Sequence, residues 1–162
     1  MFKRLYPEIP LSYTLIGFGR SIDIHKIESE IEYAHFPGDE VRYIGRLHHS
    51  ELADYFMHSN VGVSFIPLVK YFDCQPPTKT FEYICSGLVC IATATSENRK
   101  IINESNGILI NDDPVSFSEG LKMIWDNRDN YDTNKIRDEA AEHHWTNIVN
   151  RILRPALENI VC

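Results

Sequence analysis

The residues best suited to chemistry lie in 71–93, YFDCQPPTKTFEYICSGLVCIAT. Taking Pro77 as the first helical residue leaves the backbone N–H groups of Thr78 and Lys79 without intrahelical acceptors. They then sit at the positive end of a helix, where phosphate groups bind. At about 100° per residue, Lys79, Glu82, Tyr83 and Ser86 share one face, and Phe81, Ile84, Cys85 and Leu88 the opposite one. With the apolar face on a sheet, Lys79 can reach a phosphate and Glu82 can accept from a pair of sugar hydroxyls. The same spacing also fits an exposed i,i+3 Lys–Glu pair worth a few tenths of a kcal/mol.

Other constellations are weaker. Gly17-Phe18-Gly19-Arg20 invites a dinucleotide fingerprint, but its third glycine falls at Ile22 and no acidic residue ends the next strand. An NADP-binding oxidoreductase domain using Arg46 for a 2′-phosphate is the alternative this leaves, and a tight strand exit the simpler account. His48–His49 and His143–His144 read as polar helix ends, since adjacent histidines diverge and chelate poorly. Cys74, Cys85, Cys90 and Cys162 form no CxxC pair, which fits reduced thiols in a cytoplasmic protein. No metal site and no covalent nucleophile are expected.

Stepping outward, five short apolar runs must position these groups: 11–16 (LSYTLI), 41–44 (VRYI), 61–66 (VGVSFI), 88–93 (LVCIAT) and 107–110 (GILI). Several are near-continuous, as strands covered on both faces are. Helical segments lie between them. Residues 51–59 group Leu52, Tyr55 and Phe56, while 79–86 end before Gly87, a good C′ residue. Asp113 and Pro114 make an N-cap and N1 pair ahead of Phe117, Leu121 and Ile124. This alternation predicts an α/β fold, a doubly wound parallel sheet, with a helical tail over 134–162. In that tail Trp145, Ile148, Val149, Ile152, Leu153 and Leu157 form an apolar stripe, and Pro155 predicts a kink. No linker or repeat divides the chain, so residues 1–162 read as a single domain.

Composition bounds the ligand. The 162 residues are 43% hydrophobic and 24% charged, which excludes wholesale disorder. With 23 acidic and 16 basic side chains the net charge is −7, which argues against a nucleic-acid partner and requires any anion to be held locally. The start, MFKRLYPEIP, has no signal-peptide core.

The run PPTKTFEYICSGLVCIATATSENRKIINESNGILI resembles the donor-binding domain of GT-B fold glycosyltransferases of family 4, the group 1 transferases. The matching residues are Pro77, Lys79, Phe81, Glu82, Tyr83, Gly87, Ile91, Ala92, Ile101, Ile102, Asn106, Gly107 and Leu109. Upstream, VRYIGRLHHSELADYFMHSNVGVSFIP and YPEIPLSYTLIGFG are similar to further units of that pattern, and HHWTNIVNRIL to its ending.

The resemblance implies a Rossmann-like half of a GT-B fold and a metal-independent, retaining hexosyltransferase using a UDP-, GDP- or other NDP-sugar, with no cofactor. It makes Lys79, near the diphosphate, and Glu82, at the ribose hydroxyls, the candidate catalytic residues. Pro77, Thr78, Lys79 and Glu82, with Gly45, Arg46 and Leu47 at the base, form the donor site. Cys74 stands where the family's E-x7-E motif has its first acid, and Asp73 is one position out of register. The expected acceptor is a glycan or lipid-linked chain, in surface polysaccharide or lipopolysaccharide assembly at the inner face of a membrane. By the same register the chain lacks the donor domain's first strand-helix unit, and the N-terminal domain that would bind the acceptor or membrane. The isolated chain is then expected to be inactive, which keeps a non-catalytic nucleotide-sugar-binding or interaction module as an alternative.

Overall fold

Strand β4 (Val89–Thr93) is buried at every position, the outcome expected of a continuous apolar run paired on both edges. It lies between β3 (Val61–Ser64) and β5 (Gly107–Ile110), parallel to both, with Val61 opposite Val89 and Cys90 opposite Gly107. Cys90 has no exposed surface, and burial pushes its thiol up to about 12.

The computed structural model describes Leu5, residues 8–36, Gly38 and residues 40–161. Tyr6, Pro7 and Cys162, quoted above, lie outside the described residues. The chain forms two compact units, Met1–Tyr55 and Phe56–Cys162. In the first, β1 (Tyr13–Ile16) pairs in parallel with β2 (Val41–Gly45) through the crossover helix α1 (Ser21–Ala34). Helix α1 buries no residue and has no side-chain cap, unlike α5, which has both a capping carboxylate and a buried apolar stripe. Helix α2 (His49–Met57) follows, and the His48 N–H donates to Glu51 Oε2 at 2.7 Å in a capping-box arrangement.

In the second unit, α3 (Thr78–Cys85) joins β3 to β4, and the short α4 (Asn98–Ile101) joins β4 to β5. Helix α5 (Pro114–Asp126) begins as expected: the Asp113 carboxylate accepts from the Val115 and Ser116 N–H groups, and Phe117, Leu121 and Ile124 are buried. Helix α6 (Thr133–Ala140) packs on α3, burying Ile136 and Ala140.

The fold is α/β with parallel strands, a Rossmann-like half with a helical C-terminal tail; its five strands are divided between a two-stranded and a three-stranded sheet. The tail continues through α7 (Trp145–Ile148), a π-helical turn (Val149–Leu153) and α8 (Arg154–Val161). The wider turn ends just before Pro155, whose missing N–H cannot complete an α-helical ladder. Trp145, Val149, Ile152, Leu153 and Leu157 are exposed and Ile148 is half-buried, so most of the predicted stripe lies open. No helix among them is long and apolar enough to cross a membrane.

Candidate functional site

At the carboxyl end of β3, residues 64–66 and 75–79 line an open cleft of about 150 Å³. It lies where open α/β sheets take their ligands, and it brings Pro77, Thr78 and Lys79 together as the sequence predicts. Two details differ from that prediction. Pro77 has ψ 78°, outside the helical range, so it is the N-cap and Thr78 the first helical residue. The Thr78 N–H donates to Pro76 O at 3.0 Å and is not free. The free donors are shifted one residue on, to the N–H groups of Lys79 and Thr80, which have no acceptor among the described residues.

Lys79 is exposed and has neither a hydrogen-bond nor an ion-pair partner among those residues. The Lys79–Glu82 pair that the spacing allowed is therefore not formed. Glu82 stands one turn further along α3, exposed and outside the residues that line the cleft.

The predicted faces of α3 need correction. Tyr83, assigned to the Lys79 face, packs its ring against Gly62, where a Cβ would collide with it, and meets Phe56 edge-on at 5.6 Å. Thr80 and Ile84 are buried, whereas Phe81 contacts the His143 ring and the Cys85 thiol approaches Ala140 O at 3.7 Å. The physical reason is that α3 is covered twice, by the sheet and by α6 with the turn after it, so its buried arc is wider than one stripe.

The loop before the cleft is tied down by an acid. The Asp73 carboxylate accepts from the Ser96 N–H at 2.8 Å and from the Ser96 hydroxyl, and these bonds hold its pKa below the usual carboxylate value. Cys74, next to it, is exposed. A depressed folded-state pKa contributes stability above the unfolded-state value of about 3.9, and that contribution is lost as pH falls through the lower folded value. Asp73→Asn is thus expected to unfold at lower urea than wild type at pH 7 and pH 5, with the gap closing below about pH 4. A gap unchanged at pH 3 would show that the charge on Asp73 is not what anchors the loop.

In the other unit, Gly45 closes β2 with φ 85°, a conformation that favours glycine, and has open space where a side chain would stand. Arg46 is exposed and lays its guanidinium over the Phe18 ring, 4.7 Å from the centroid; Leu47 is half-buried. The Tyr43 hydroxyl donates to Gly17 O at 2.9 Å, fixing the Gly17–Gly19 turn as a strand exit. His48 Nδ1 bonds the Ser50 hydroxyl at a helix entry, and no three His, Cys, Asp or Glu side chains gather among the described residues.

No family model and no curated protein matches the sequence. Among solved structures, the chain is similar to sucrose-phosphate synthase (tll1590) from Thermosynechococcus elongatus. The TM-score is 0.72 at 19% identity, over 99% of this chain and 41% of that one. At that identity the likeness is one of fold, a Rossmann-like half of the GT-B type. The chain spans about two fifths of that neighbour's length.

Proposed function

We propose that this chain is the nucleotide-sugar-binding part of a retaining, metal-independent glycosyltransferase. The observation that carries the reading is the cleft at the end of β3, lined by Lys79, whose side chain and backbone N–H have no partner among the described residues. Such a site suits a diphosphate: a positive charge and a preorganised donor stabilise the departing nucleoside diphosphate as the anomeric carbon–phosphate oxygen bond breaks, the glycosidic bond to the acceptor oxygen forms and the acceptor proton passes to the leaving group. In this reading Lys79 holds the diphosphate, Pro77 and Thr78 shape the turn, and Glu82 accepts from the ribose hydroxyls. Gly45, Arg46 and Leu47 serve the base, as the family resemblance implies.

The donor is a UDP-, GDP- or other NDP-sugar. The acceptor, a glycan or lipid-linked chain, belongs to a further domain, and the setting is polysaccharide or lipopolysaccharide assembly on the cytoplasmic side of a membrane. One observation favours a second reading, a module that binds nucleotide sugar without turnover: Cys74 replaces the acid of the family motif, and the neighbouring Asp73 is committed to Ser96. Calorimetric titration with UDP, GDP, their sugars and NADPH tests both readings. Binding of a nucleoside diphosphate is the expected result; binding of NADPH alone would replace this function with a dehydrogenase-like one. Transfer by a protein carrying the acceptor half would separate an enzyme from a binding module.

A further inference from the structure

Ser64, Thr80, Thr93, Thr95 and Asn98 have no exposed surface and are linked to one another through hydrogen bonds of Thr80 and Asn98. Ser64 lines the cleft and Thr80 follows Lys79 directly. Thr80 Oγ1 lies 2.8 Å from both Ser64 Oγ and Asn98 Oδ1. Asn98 Nδ2 donates to Thr93 O at 2.8 Å, which fixes the amide so that its oxygen faces Thr80. A hydroxyl has one proton, so Thr80 donates to Asn98 and accepts from the Ser64 hydroxyl. The chain of bonds continues: the Thr93 hydroxyl donates to Ile66 O and accepts from Ile66 N–H. It thereby joins the first turn of α3 to the ends of β3 and β4 and to α4.

A valine of the same volume would leave Ser64 Oγ and Asn98 Oδ1 buried without their partner, so the hydroxyl holds the first turn of α3 in place. That turn begins beside the cleft that Lys79 lines. The Lys79 side chain and backbone N–H have no partner among the described residues, and their aim depends on where the turn is held. We infer that Thr80 is a positioning residue for a phosphate-binding turn, locking α3 so that this donor and the Lys79 side chain are set before a ligand arrives. The inference rests on the reading of the cleft proposed above.

Calorimetric titration of the whole chain with UDP and with GDP tests it, using wild type, Thr80→Val, Thr80→Ser, Lys79→Ala and the double variant. Thr80→Val is expected to weaken binding about five- to tenfold, the loss of one oriented hydrogen bond, while Thr80→Ser stays within about twofold of wild type. The valine is expected to add little in the Lys79→Ala background, because both act on one ligand group. Lowered stability by itself leaves the affinity of a folded chain unchanged, and circular dichroism at the assay temperature establishes that each variant is folded. If Thr80→Val does not fold, Ser64→Ala removes the hydroxyl at the other end of the same bond and carries the same expectation. Wild-type affinity in Thr80→Val, or equal losses in the serine and valine variants, overturns the inference and leaves the cleft's assignment standing. No nucleotide binding by wild type, or none lost in Lys79→Ala, removes the assignment and the inference with it.

Discussion

Lys79→Ala is expected to weaken the binding of UDP and GDP by about 1.5–3 kcal/mol, between roughly tenfold and a hundredfold, the range for a hydrogen bond to a charged group. The expectation follows from what Lys79 lacks. Among the described residues no carboxylate pairs with it, so a ligand phosphate gains the interaction with no ion pair there to be broken first. Removing an exposed, unpaired side chain should change stability by no more than about 0.5 kcal/mol, so urea unfolding of the variant should match wild type. Lys79→Arg keeps the charge and should retain part of the affinity. The difference between wild type and alanine should shrink as salt rises, because the pair is only partly screened from water. Equal affinity of the alanine variant and wild type for both nucleotides would remove the site assignment.

The largest loss of stability is expected at a residue far from any ligand. Gly107 opens β5 directly opposite Cys90 on the central strand. A Cβ there would overlap the Cys90 carbonyl oxygen and come within 2.9 Å of its carbon. Those are backbone atoms of a fully buried strand and cannot rotate away, so Gly107→Ala should cost about 3 kcal/mol, at the upper end for overpacking. The sign is informative, because replacing a strand glycine elsewhere is mildly favourable on entropy grounds. Urea denaturation of the purified chain measures it, and a loss below about 0.5 kcal/mol would mean that β5 pairs differently from the register described.

What could be read from residues alone follows how local each signal is. The five apolar runs emerge as the five strands, but only β4 is covered at every position, as a strand paired on both edges should be, while β1 and β2 keep every position at least partly open. Asp113–Pro114 predicts the start of α5 because its cap is made within three residues. Helix α1 escaped the pattern because it has neither a strong apolar stripe nor a side-chain cap at its start. At Pro77 the error is a single residue, yet it moves the free donors from Thr78 and Lys79 to Lys79 and Thr80. The faces of α3 were misread for a different reason: a one-sided amphipathic pattern cannot anticipate that α6, fifty residues later, covers a second side. The polar cluster under the cleft is the least legible feature. Ser64, Thr80, Thr93 and Asn98 stand on four different elements, β3, α3, β4 and α4, and only the packing of the helices on the paired strands brings them together.

The sealed position of Cys90 gives the three-stranded sheet an intrinsic chemical reporter. Thiolates react with alkylating reagents and thiols hardly do, and a thiol whose pKa burial pushes up to about 12 is both protonated and unreachable. Exposed Cys74 takes up such a reagent from the native state, and half-buried Cys85 more slowly. Modification at Cys90 must wait until β4 parts from its neighbours, so its rate counts openings of the sheet while the rest of the population remains folded.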